Sequence, residues 1–207
     1  MGSSGTAKGS RAMTTQREFL ECLTRLLDKA GIPYMVAGSV GSSLHGRPRA
    51  TQDIDLVVAP TPEQLHRFLG SLGEDCYVSS EAAEEAVHRH TMFNVIDVTA
   101  GWKADLIIQK PRPFSLQEFE RRRRMDLFGC MVWVVSPEDA ILSKLEWTKG
   151  RESEVQYADA LGVAVVHYHD LDWDYLRKWA KELGVVDALD RLRREATAAA
   201  EPSHPSQ

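Results

Sequence analysis

The sequence predicts an α+β protein: a small mixed sheet with flanking helices, followed by a helical C-terminal part. Short apolar runs bounded by Gly, Pro and polar residues alternate with helical patterns up to about residue 135. Beyond Ser136 the apolar residues recur only at helical spacing. Two aspartates, Asp53 and Asp55, interrupt a run that otherwise reads as a buried strand. A buried carboxylate costs several kcal/mol unless something pairs with it, so the strand carries more than packing.

The elements follow in order. Thr15 and Glu18 have capping-box spacing, and Phe19, Leu23, Leu26 and Leu27 continue at helical spacing until Gly31 and Pro33 stop the helix. Residues 34–37 form a short apolar strand, 39–44 open a helix, and 53–59 form the aspartate strand. Thr61-Pro62-Glu63-Gln64 is a capping box with Pro at the first helical position. Residues 91–99 and 104–108 read as two strands joined at Gly101, a hairpin. Ser115-Leu116-Gln117-Glu118 caps a further helix, which runs into Arg121–Arg124, and residues 130–135 form a strand. Four helical stretches complete the chain: one from Ser136, then Glu154–Val166, Trp173–Leu183 and 185–198.

The chain has 207 residues, 43% of them hydrophobic and 27% charged, as in ordinary globular proteins. The net charge of -5 argues against a generally basic, nucleic-acid-coating surface. No apolar run approaches ~18 residues, so no membrane partner is expected. The opening MGSSGTAKGSRAM lacks an apolar signal-peptide region and reads as a disordered lead or cloning remnant. The expected organisation is a lead over 1–12, an α/β core over 13–135, a helical subdomain over 136–198 and a disordered tail over 199–207. The three cysteines, Cys22, Cys76 and Cys130, have neither zinc nor disulfide spacing and fit reduced thiols in a cytoplasmic protein.

The chemistry centres on the aspartate strand. Residues i and i+2 of a strand share a face, so Asp53 and Asp55 present their carboxylates side by side. Adjacent carboxylates suit a hard divalent cation, Mg²⁺ first. Asp105, at the start of the second hairpin strand, is the candidate third carboxylate, and Asp97 is its rival. Gly38-Ser39, between a strand and a helix start, offers backbone N–H groups and a hydroxyl to an anion. Phosphates held there and bridged by metal to the aspartates describe phosphoryl-group chemistry on a nucleotide.

Gly38-Ser39, Asp53-Ile54-Asp55 and Asp105, in this order over residues 33–110, resemble the signature of the nucleotidyltransferase superfamily, the DNA polymerase beta-like fold. The resemblance implies its small mixed sheet and two Mg²⁺ ions on the three carboxylates, with an NTP such as ATP as co-substrate. It implies a triphosphate on Gly38-Ser39 and an NMP moved to an acceptor hydroxyl. Residues 136–146 are similar to the minimal and AbiEii-type toxin nucleotidyltransferases, whose helix Lys and following Asp match Lys144 and Asp159. That likeness implies that Lys144 contacts phosphate or base and that Asp159 orients it, and it leaves room for an antitoxin partner. The acceptors it leaves open are a small molecule, which the acidic charge favours slightly, an RNA such as a tRNA 3′ end, or a protein. A non-catalytic nucleotide-binding module is the reading of a different class.

Other features have plainer readings. Arg47 and Arg49 lead into the aspartate strand, where Arg49 is a candidate phosphate or acceptor contact. The Arg121–Arg124 run is expected on a salt-bridged surface helix, because successive helix residues turn about 100° and cannot share a face. Trp102 is a candidate adenine-stacking residue; Trp133, Trp147, Trp173 and Trp179 are expected to pack in the core. His88 and His90, and His167 and His169, lack partners at zinc spacing and are expected to be structural or solvated.

Overall fold

Local capping chemistry sets several helix starts in the computed structural model, which describes residues 15–46, 53–127, 129–149 and 154–200. Helix α1 (Gln16–Ala30) starts at Thr15 with a complete capping box and ends at Gly31 in the left-handed conformation. Helix α3 (Pro62–Leu69) repeats the device with Thr61 and Gln64, Pro62 presetting the first helical φ. Ser136 caps α6 (Pro137–Trp147) by accepting from the Asp139 N–H. Asp172 caps α8 (Trp173–Leu183) by accepting from the Tyr175 N–H. Each such cap is worth about 1 kcal/mol.

Among the described residues seven strands form one mixed sheet, ordered β3-β4-β5-β2-β1-β7-β6. They are β1 (Tyr34–Val36), β2 (Asp53–Val58), β3 (Cys76–Tyr77), β4 (Met92–Asp97), β5 (Lys103–Ile108), β6 (Arg123–Leu127) and β7 (Cys130–Val134). The expected hairpin forms from β4 and β5. It lays β5 parallel to β2, while β1 lies antiparallel to β2 and parallel to β7. Ile54, Leu56 and Val58 on β2 and Ala104, Leu106 and Ile108 on β5 are buried on one face. The aspartates therefore occupy the other face by strand alternation alone.

Two buried apolar clusters hold the chain together. One joins Phe19, Leu23 and Leu27 of α1 to the sheet and to Phe68. The other joins Ile141, Leu142 and Leu145 of α6 to α7 (Glu154–Val166), α8 and α9 (Val186–Ala200), with Phe114 of α5 (Pro113–Glu120) added. Trimming one such fully buried leucine to alanine costs about 2–5 kcal/mol.

Several elements differ from expectation. Helix α5 starts at Pro113, not Ser115, and stops at Glu120. The arginine run then enters an edge strand, because β6 pairs residue for residue with β7 across a left-handed Gly129. Ladder pairing overrides the helical preference of arginine. Strand β3 and helix α4 (Ser80–Arg89) were not legible from periodicity. The last helix runs to Ala200, into the expected tail. The expected lead and residues 201–207 lie outside the described residues.

Candidate active site

On the polar face of the sheet, Asp55 lies opposite Asp105 and Asp53 opposite Lys103. Neighbouring strands run about 4.8 Å apart, so four charged side chains crowd one small area. Lys103 Nζ lies 3.5 Å from Asp53 Oδ1 and 3.3 Å from Asp105 Oδ1. Asn94, opposite Asp105 on β4, donates its amide N–H to Asp105 Oδ1 at 2.5 Å. Burial first, and the Asp105 charge second, raise the Asp55 carboxyl above the usual carboxylate range. The Lys144 ammonium and the Ser39 N–H act in the opposite sense.

The turn before helix α2 (Gly38–His45) explains its glycine. Gly38 has φ 58°, and a Cβ there would stand 1.8 Å from Asp55 Oδ2. Only glycine satisfies both the backbone angle and the approach. The Ala37 N–H donates to the Asp55 main-chain carbonyl at 2.9 Å, so the turn is tied to the aspartate strand. From α6, Lys144 reaches the same place: its Nζ donates to Asp159 Oδ2 at 2.9 Å and to Ser39 Oγ at 3.5 Å. Lys144 is only 5% exposed, which makes Asp159 on α7 a required counter-charge.

These groups open on a cleft of about 610 Å³ whose walls include Ser39, Asp55, Glu118, Lys144, Trp147 and Gln156. Burial pushes the Glu118 carboxyl up to about 7, although Ser143 Oγ donates to it at 2.6 Å. Arg112 grips Glu146 through two hydrogen bonds of 2.6 Å each and fixes the end of α6 against the cleft.

The donor set suits a hard cation: Asp53, Asp55 and Asp105 offer only carboxylate oxygens from one sheet face. Among the described residues, no three His, Cys, Asp or Glu side chains are drawn in to metal-ligating distance. Lys103 supplies positive charge between Asp53 and Asp105 in their place.

Gly38, Ser39, Asp55 and Lys144 thus line one cleft; Asp105 stands in register beside Asp55 and Asp159 pairs with Lys144, while Asp53 lies outside the cleft lining, beside Lys103. Arg47 and Arg49 lie outside the described residues. Asp97 is fully buried on the opposite face of β4, where its Oδ1 accepts from the Thr99 and Ala100 N–H groups. It is a turn cap, not a third ligand. Trp102 packs on the core cluster, away from the cleft lining. Trp147, expected in the core, is 71% exposed. The arginine run is divided: Arg121 pairs with Glu138 and Asp139, and Arg122 lies over Phe119 and Trp133. His90 Nδ1 meets the Gln109 carbonyl at 2.9 Å, and His167 packs edge-on against His45. Sequence reasoning missed Lys103, Asn94, Glu118 and Arg112. Lys103 carried a signal, since it stands two residues before Asp105 on a strand and so shares its face.

No family model matches the sequence, and no curated protein matches it. Solved structures do match. An antigenic nucleotidyltransferase-like protein from Paracoccidioides brasiliensis superposes with a TM-score of 0.61 at 20% identity, over 88% of this chain and 90% of that one. The antibiotic-resistance factor ANT(2'')-Ia gives a TM-score of 0.48 at 14% identity, over 89% of this chain and 96% of that one. A putative nucleotidyltransferase from H. pylori gives 0.47 at 15% identity, over 90% of this chain and 82% of that one. The mixed sheet with its flanking helices has a nucleotidyltransferase-like fold.

Proposed function

We propose that the protein is a nucleotidyltransferase that binds an NTP with Mg²⁺, moves the NMP to an acceptor hydroxyl and releases pyrophosphate. The observation that supports this reading is the pairing of Asp55 with Asp105 in register, with Gly38-Ser39 packed onto Asp55 and Lys144 held at Ser39. Phosphoryl transfer needs little covalent chemistry from a protein. It needs a held triphosphate, an aligned nucleophile and compensated charge. The cleft lining brings the Ser39 hydroxyl and the Lys144 ammonium together with the Asp55 carboxylate. A shared fold alone would not carry an activity.

Asp53 and Asp55 would hold two Mg²⁺ ions and Asp105 one of them; when bound, Mg²⁺ supplies Lewis acidity at the phosphoryl oxygens. The chain's own groups have the remaining tasks. The Ser39 N–H and the bare Gly38 backbone hold the Asp55 carboxylate in place. The Ser39 hydroxyl and the Lys144 ammonium would face the β,γ-phosphates, with Asp159 keeping the ammonium oriented. Asp105 would accept the proton of the attacking hydroxyl, its carboxylate steadied by the Asn94 amide.

The acceptor we favour is a small molecule. A cleft of about 610 Å³ is of small-ligand size. A toxin-type reaction on tRNA calls for a basic docking face. Of the Arg121–Arg124 run, Arg121 and Arg122 are engaged with Glu138, Asp139 and aromatic rings, which leaves Arg123 and Arg124 exposed on the edge strand.

The test is thermal stability with each of the four NTPs, with and without Mg²⁺, on the wild type and Asp53→Asn, followed by pyrophosphate release with an acceptor panel. A nucleotide at 100 times its dissociation constant adds about 2.7 kcal/mol. The expected result is a Mg²⁺-dependent shift with one or more NTPs that Asp53→Asn abolishes while the variant stays folded. The absence of any NTP-dependent shift, together with no pyrophosphate release, overturns the reading.

A further inference from the structure

Trp147 is the last residue of α6, three positions after Lys144. Residues three apart on a helix share a face, and both side chains line the cleft. Their surroundings are opposite. Lys144 is 5% exposed and clamped between Ser39 and Asp159, whereas Trp147 is 71% exposed. Every other tryptophan has a structural place. Trp102 packs on the core, Trp133 lies beneath Arg122 and Arg124, Trp173 packs on Tyr168, and Trp179 packs on Phe114. Among the described residues no ring, guanidinium or ammonium packs on Trp147.

An exposed indole offers a large apolar ring face that other rings stack on. The end of α6 that carries it is anchored: the preceding residue, Glu146, is locked to Arg112 through both carboxylate oxygens. An exposed aromatic ring on the wall of a cleft, one helical turn beyond a phosphate-facing lysine, fits a ligand with a planar ring at one end and phosphates at the other.

We propose that Trp147 is the stacking platform for the base of the donor nucleotide, its ring covering the base while Lys144 and Ser39 hold the phosphates. This rests on the nucleotidyltransferase reading above and deepens it. Stacking on indole accepts any base, because every base has a π-face. Trp147 therefore supplies affinity for nucleotides over plain polyphosphates rather than a choice among the four bases.

The experiment is a calorimetric titration of the full chain in Mg²⁺ with ATP, GTP, CTP and UTP, and with inorganic tripolyphosphate, which has the phosphates and no base. The proteins are the wild type, Trp147→Ala and Trp147→Phe. Trp147→Ala is expected to weaken binding of every NTP that the wild type binds by about ten-fold, to leave tripolyphosphate unchanged, and to be largely rescued in Trp147→Phe. NTP affinities equal within about two-fold in wild type and Trp147→Ala overturn the proposal, as does an equal loss for NTP and tripolyphosphate. If the wild type binds neither NTP nor tripolyphosphate, the nucleotidyltransferase reading fails, and this proposal falls with it.

Discussion

Lys103 Nζ stands 3.3 Å from Asp105 Oδ1 and bridges to Asp53, so the chain's own ammonium occupies the space between two carboxylates that a divalent cation would share. Without a cation, Asp53, Asp55 and Asp105 would repel one another on adjacent strands. Lys103 relieves that repulsion, and on the proposed Mg²⁺ reading it competes with the cation for the same oxygens. Lys103→Met is therefore expected to destabilise the metal-free protein and to tighten Mg²⁺ or Mn²⁺ binding. Lys103 and Asp53 are partly exposed, so the interaction lies near the solvent-screened end, roughly 1 kcal/mol, and the gain is on the order of five-fold. Isothermal titration with Mn²⁺ measures it directly. Weaker metal binding in Lys103→Met would show that Lys103 organises the carboxylates rather than competing for them.

Lys144 and Asp159 form the second charged relationship, and it is nearly buried, with side-chain exposures of 7% and 14%. Removing one partner of a buried pair strands the other charge and costs about 3–5 kcal/mol, whereas replacing both with apolar groups is often neutral. Asp159→Leu alone is expected to lower the unfolding free energy by that order. Lys144→Met alone leaves Asp159 better solvated and should cost less. The double variant Lys144→Met/Asp159→Leu should recover most of the loss. Nucleotide affinity behaves differently, because the double variant lacks the ammonium at Ser39 and should stay as weak as Lys144→Met. Urea unfolding and NTP titration across this cycle separate the two roles. Recovery of nucleotide binding in the double variant would remove Lys144 from the phosphate site.

The parts of the site that obey local rules were legible in the sequence. Asp53 and Asp55 share a face because strand side chains alternate; Gly38 reads as a glycine that lets the backbone approach a phosphate, and the group it approaches in the structure is the Asp55 carboxylate. The caps at Thr15, Thr61 and Ser136 needed only three-residue spacing. What stayed hidden depends on distant partners. The arginine run looks helical until β7 pairs with it. The indole of Trp147 suggests core by composition, and only the packing of α6 against the cleft leaves it bare. Glu118 reads as the last residue of a cap motif. Its burial comes from Ser143, 25 residues away, and from the cleft wall.

Glu118 gives the protein a pH dependence with a defined sign. Its carboxyl is raised from an ordinary value of 4.5 to about 7, chiefly by burial, with the Asp139 charge adding to it; the Ser143 hydroxyl and Arg112 oppose the rise. The folded state therefore holds this proton more tightly than the unfolded chain does. The stabilisation linked to Glu118 is complete below about pH 4.5 and is lost as pH rises through about 7. Asp55 and Asp139 are shifted in the same direction, so the quantity to read is the difference between wild type and Glu118→Gln. The amide keeps the size and can still accept from Ser143 without ionising. Glu118→Gln is expected to match the wild type near pH 4.5 and to be more stable at pH 8, by up to roughly 3 kcal/mol. Urea midpoints collected from pH 4.5 to 8.5 give that difference curve. A flat curve, or a variant that loses stability above pH 7, would mean that the folded protein carries Glu118 ionised and paired.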